Sequence, residues 1–117
     1  MPTPSCLSED AECFLFADWL RAEGIPFSHL PLSTYTPSWT VKARNKRLGV
    51  SPGVPDYIIA LPHMLLWIEM KKKKGGRVAP AQTEWLDRLS IYPVSQAFLA
   101  HGFSAAKEIV SRFRGTK

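Results

Sequence analysis

Asp56, Glu69 and Lys71 are the residues of this chain whose types and spacing could do chemistry together. Tyr57-Ile58-Ile59-Ala60-Leu61 reads as a strand, Pro62-His63 turns the chain, and Met64 to Lys71 reads as a second strand antiparallel to it. Side chains alternate along a strand, so Glu69 and Lys71 project from one face. The hairpin brings Asp56, just ahead of the first strand, beside the far end of its partner. Two carboxylates and a lysine would then converge at one end of a sheet. Asp56, Glu69 and the Met70 carbonyl offer the oxygens that a hard cation such as Mg²⁺ accepts. Lys71 is left to orient or activate a water, or to hold a phosphate. Such a set suits metal-assisted phosphodiester hydrolysis. Glu69 ends the apolar run Met64–Ile68, which reads as buried on both faces, and an unpaired charge there would be costly. Taken singly, Asp56 is also a common turn residue, and Lys71 also opens the solvated run Lys71–Lys74.

The charge distribution points the same way. The chain has 117 residues, 15 Lys+Arg and 10 Asp+Glu, a formal net charge of +5. Residues 1–23 hold five acids and one base, and the rest hold 14 bases and five acids. Nine bases fall in two clusters: Lys42, Arg44, Lys46, Arg47, and then Lys72, Lys73 and Lys74 with Lys71 and Arg77. Clusters of this kind favour a polyanion, because cations set against phosphates release condensed counterions. A merely solvated surface is the alternative for either cluster alone. Trp39, in a polar stretch beside Lys42 and Arg44, is a candidate for base stacking.

The remaining elements must position these residues. Ser8 caps a helix with an acidic first turn, whose apolar residues are Leu15, Phe16, Trp19 and Leu20. Glu12 shares their inward side, and Glu9 lies one turn earlier on it. Residues 27–31 form a short strand. The long polar connection from Leu32 to Val54 holds a short basic helix, about Thr40 to Leu48, closed by Gly49. After the hairpin and a basic glycine-containing loop, Pro80 starts an amphipathic helix carrying Gln82, Trp85, Leu86 and Leu89. Val94 to Ala100 is the last strand, and Ser104 caps a final helix. Apart from the short basic helix, the order is αβββαβα: one small mixed sheet flanked by helices, of α/β class, in a single domain spanning residues 1–117 with residues 1–7 as a flexible N-terminus.

An apolar share of 45% with 21% charged residues excludes disorder along the whole chain. No apolar run approaches the ~18 residues of a membrane span. The N-terminus lacks the pattern of a secretory signal, and Cys6 and Cys13 make no disulfide framework or zinc spacing. A reducing, cytoplasmic setting without membrane contact is the expectation. His29, His63 and His101 are scattered and read as structural or solvent-facing.

Gly53-Val54-Pro55-Asp56, followed by Ile68-Glu69-Met70-Lys71 with twelve residues between Asp56 and Glu69, resembles the PD-(D/E)xK nuclease signature. With Gly49-Val50-Ser51-Pro52 before it and Pro80-Ala81-Gln82-Thr83-Glu84-Trp85-Leu86 after it, the chain resembles the VRR-NUC family, the virus-type replication-repair nuclease domain, from about residue 9 to 110. That resemblance implies a restriction-endonuclease-like core and Mg²⁺-dependent DNA cleavage in which Mn²⁺ can substitute. It implies Asp56 and Glu69 as metal ligands, Lys71 as the catalytic lysine and Gln82 as the glutamine of the helix after the motif. The first-helix glutamate maps to Glu12 or Glu9, with Glu12 preferred for its facing. The run of four lysines and the missing glutamine a turn after that glutamate depart from the family pattern. By family analogy the substrate is branched DNA, such as a Holliday junction or flap, the enzyme a homodimer, and the setting a bacterial or phage-infected cell. A nuclease fold that clamps DNA or a partner without cutting is the rival reading.

Overall fold

The computed structural model describes residues 7–30 and 38–115. The elements are α1 (Glu9–Ala22), β1 (Phe27–His29), α2 (Trp39–Leu48), β2 (Tyr57–Leu61), β3 (Met64–Lys71), α3 (Pro80–Leu89), β4 (Ser95–His101) and α4 (Phe103–Arg114). The four strands lie in the order β1-β2-β3-β4. The first two pairings are antiparallel, and β3 pairs with β4 in parallel, across the α3 connection. This is the mixed sheet with flanking helices that the hydrophobic patterning predicts. Residues 1–6 of the expected flexible N-terminus, Pro31 of the first strand and residues 32–37 of the polar connection lie outside the described residues.

The tight turn at Pro62-His63 sets the hairpin register, pairing Tyr57 with Ile68 and Leu61 with Met64. On one face, Tyr57, Ile59, Leu66, Ile68 and Met70 join Phe16 and Leu20 of α1 and Ala106, Ile109 and Val110 of α4 in the buried core. The Phe16 and Tyr57 rings meet edge to face at 5.2 Å, and the Tyr57 hydroxyl donates to the Cys13 carbonyl at 3.4 Å. Ser8 caps α1 by accepting the Ala11 N–H at 3.1 Å. Among the described residues no helix is long and apolar enough to cross a membrane.

The opposite face, under α3, is covered unevenly. Leu65 is exposed and Trp67 half-buried, whereas Glu69 and Lys71 are buried. The expectation of a β3 buried on both faces is therefore corrected. On this face the polar end is the covered one, because α3 starts there, and a fully apolar strand was the wrong guide to burial. No residue of α3 is fully buried either. Just beyond α3, Ser90 Oγ accepts the Ala97 N–H at 3.0 Å, which satisfies part of the open β4 edge.

Helix α4 begins two residues earlier than a Ser104 cap requires: Gly102 is its N-cap, with no side-chain cap from that position. Glu12 takes the role instead, accepting the Phe103 N–H at 2.7 Å. An acceptor 91 residues away cannot be read from the local pattern around Ser104.

Candidate active site

The hairpin register sets Asp56 directly opposite Glu69, one step beyond the Tyr57–Ile68 pair. Two main-chain contacts hold Asp56 there. Its carbonyl accepts the Leu30 N–H at 2.6 Å, and its Oδ2 accepts the Met70 N–H at 3.0 Å. Gly53, three residues earlier, has φ +95°, and a Cβ on it would lie 2.6 Å from the Ala81 backbone. Only glycine allows this loop to cross so close to the start of α3. The loop bearing Asp56 and the helix bearing Gln82 are thereby packed against each other.

Glu69 is 4% exposed and Lys71 8%. Lys71 Nζ stands 3.8 Å from Glu69 Oε2, and Gln82 Nε2 donates to that same oxygen at 3.1 Å. Gln82 is itself oriented, because its Oε1 accepts the Ala79 N–H at 3.0 Å. Ala79 precedes the helix and has no side chain able to cap it, so the Gln82 oxygen serves the helix end and its amide nitrogen is aimed at Glu69. Burial, and then the negative charge of Asp56, push the Glu69 carboxyl up to about 8, with Lys71 acting in the opposite direction.

Two converging carboxylates, costly while both are charged and unscreened, are what a divalent cation relieves. In an antiparallel pair, a residue's N–H and C=O turn to the same neighbour. The Met70 carbonyl thus shares the strand edge at which its N–H meets Asp56. All these donors are hard oxygens, the chemistry suited to Mg²⁺ or Mn²⁺. Among the described residues no group of three or more His, Cys, Asp or Glu side chains forms a metal cluster. Mg²⁺ is commonly held by one or two carboxylates with waters, so the set fits that ion.

The first-helix carboxylates divide differently from the preference for Glu12. Glu12 is buried, 6% exposed, but its carboxylate is spent on the Phe103 N–H at the α4 N-terminus. Glu9 is exposed and near enough to Asp56 and Lys71 to feel both charges. Partial burial and then the charge of Asp56 raise its carboxyl, while Lys71 lowers it. Placing Glu12 on the inward side of α1 was sound as facing, and its carboxylate lies against Gly102, whose own N–H meets the Lys71 carbonyl at the end of β3 at 2.8 Å. We expect Glu12→Ala to cost about 1 kcal/mol of stability by thermal melting, the scale of a lost cap, and to leave phosphodiester cleavage near wild type. Glu9→Gln should do the reverse.

The basic residues fall on two exposed elements. Lys72, Lys73, Lys74 and Arg77 lie in the exposed segment that follows β3, and Lys42, Arg44, Lys46 and Arg47 lie on α2. Cys13 is half-buried, and burial pushes its thiol up to about 11, which leaves it unreactive.

A solved structure described as a VRR_NUC domain protein matches this chain with a TM-score of 0.75 and 25% sequence identity, over 92% of this chain and 88% of that one. The fold of this chain is thus that of a VRR-NUC domain. No family model matches the sequence, and no curated protein does. The Pro55-Asp56 and Glu69-Met70-Lys71 segments face each other at one end of the β2–β3 pair.

Proposed function

We propose that this VRR-NUC domain is a metal-dependent DNA endonuclease, with Mg²⁺ as cofactor and Mn²⁺ able to replace it. The observation carrying the proposal is the convergence of Asp56, Glu69 and Lys71 at one end of the β2–β3 pair, with Gln82 of α3 on the same Glu69 oxygen. Asp56, Glu69 and the Met70 carbonyl would hold the cation, which when bound supplies Lewis-acid polarisation of the phosphate and lowers the pKa of water. The Met70 N–H fixes Asp56, and Gln82 fixes the Glu69 carboxylate, so neither must reorganise during the reaction. The Lys71 ammonium, held in place by Glu69, stabilises negative charge that develops on the phosphate oxygens. Addition of water to phosphorus breaks the bond to O3′ and leaves a 3′-hydroxyl and a 5′-phosphate, the products expected by analogy with the nuclease superfamily.

Branched DNA such as a Holliday junction or a flap is the proposed substrate, and a homodimer the proposed assembly; both rest on family analogy. The exposed cations of residues 72–77 adjoin Lys71 and would set the DNA backbone against the site. Lys73→Ala and Lys74→Ala should each weaken DNA binding and lower the slope of log affinity against log salt by about one, with turnover at saturation kept. Titrating affinity across salt concentrations checks this.

The reading is tested by incubating labelled duplex, nicked, flap, single-stranded and four-way DNA with Mg²⁺ or Mn²⁺ and mapping the cuts. Cation-dependent cuts with 5′-phosphate ends, most abundant on branched DNA, are expected. No cuts on any of these DNAs, together with no cation uptake, would make the domain a binding module and overturn catalysis.

A further inference from the structure

Helix α2 is the least explained element of the fold. It spans ten residues, none of them buried, and Trp39 is 82% exposed. An amphipathic helix ordinarily turns one face to a core. Here the cations dominate instead, and none of the ten residues is acidic. At 3.6 residues per turn, Trp39, Lys42 and Lys46 run along one side, and Thr40, Arg44 and Arg47 along another. Ala43 lies roughly midway between the two rows. Val41, Asn45 and Leu48 make the remaining side, on which Asn45 is half-buried; the Asn45 carbonyl accepts the Val50 N–H at 2.9 Å, which closes the helix C-terminus. The side opposite the half-buried Asn45 thus presents a small residue flanked by two rows of cations. The Lys42 ammonium also lies 5.3 Å from the Trp39 ring centre, so the aromatic belongs to one of the rows.

A rod about 15 Å long with a narrow central ridge and positive flanks matches a duplex major groove, which admits one helix between two phosphate walls. We propose that α2 seats in the major groove of duplex DNA beside the cleavage point, Lys42 and Lys46 engaging one phosphate wall and Arg44 and Arg47 the other. Ala43 at the floor has no hydrogen-bonding group, so α2 positions the duplex and reads little sequence. From Gly49, which closes α2, the chain reaches Asp56 in seven residues, a span of at most ~25 Å. The seat therefore lies within about one turn of duplex, ~34 Å, from the scissile phosphate. The inference rests on the nuclease reading for that phosphate but not for the groove contact itself.

The test uses the full chain carrying Glu69→Gln, so that binding is read whether or not the protein cuts. Lys42→Ala/Lys46→Ala and Arg44→Ala/Arg47→Ala should each lower the salt slope of duplex binding by about two, without changing the melting temperature. Ala43→Trp should weaken duplex binding at least about tenfold with the slope unchanged, since it blocks approach and removes no charge. Guanine N7, which faces the major groove, should be shielded from dimethyl sulfate by the parent protein and not by Ala43→Trp. Unshielded N7 at saturating protein, or an Ala43→Trp variant that binds duplex normally, would overturn the proposal. So would equal loss of single-strand and duplex binding in the two double variants, which would make α2 a single-strand clamp.

Discussion

Replacing Glu69 with glutamine is expected to lower phosphodiester cleavage by well over ~100-fold, the scale at which partners one shell removed from a metal already matter. The same change should leave the melting temperature in chelator at or above that of the wild type. Both effects come from one arrangement. Glu69 is nearly inaccessible, faces Asp56 across the hairpin, and has its carboxyl pushed up by burial and by that neighbour's charge. A carboxamide keeps the volume and can still accept the Gln82 amide hydrogen while removing one of two opposed charges. Functional carboxylates of this kind are held against the interest of the fold, so loss of activity and gain of stability should coincide. Cleavage rates of a supercoiled plasmid and a thermal melt of the same samples check both halves. Retention of full cation-dependent cleavage by Glu69→Gln would remove this residue from the site.

Lys71→Met should reduce turnover by about 10²–10³-fold while leaving DNA affinity largely intact, because a donor that meets developing charge is worth that much and a single phosphate contact is not. Methionine suits the buried stem: Gly76 packs against it so closely that a Cβ there would lie 3.4 Å from Lys71 Cδ. The ammonium is also the counter-charge of Glu69 at 3.8 Å. Its removal leaves Asp56 and Glu69 opposed, so the variant should melt earlier in chelator than the wild type, and added cation should narrow the gap. Arginine should not rescue turnover, since a planar guanidinium has neither the shape nor the point charge of the group it replaces. Single-turnover rates and binding isotherms separate the effects. Unchanged turnover with weakened binding would place Lys71 with Lys73 and Lys74 as a backbone contact.

The parts of this site legible in the sequence are those governed by short-range rules. A period of two along Met64–Lys71 and the Pro62-His63 turn suffice to bring Asp56 opposite Glu69, because register in a tight hairpin follows from the turn. Pro80 marks the start of α3 for the same kind of reason, since its missing N–H costs nothing there. What could not be read depends on tertiary neighbours. Glu12 shares the apolar side of α1, yet its partner is the Phe103 N–H of another helix, and its less inward neighbour Glu9 is the one that feels Asp56. Gln82 is visible as part of a helix stripe, but its double task, oxygen to Ala79 and nitrogen to Glu69, emerges only once α3 lies over the sheet. The exposure of Leu65 beside the burial of Lys71 reverses what composition alone suggests, because where α3 begins decides which end of β3 is covered.

Isothermal titration of Mn²⁺ into the metal-free protein tests the central claim most directly, since it asks whether these side chains form one cation site independently of any DNA. One saturable site per chain is expected in the wild type and in Glu12→Gln, and none of comparable affinity in Asp56→Asn or Glu69→Gln. Uptake unchanged by Asp56→Asn and Glu69→Gln, or absent from the wild type, would contradict the account.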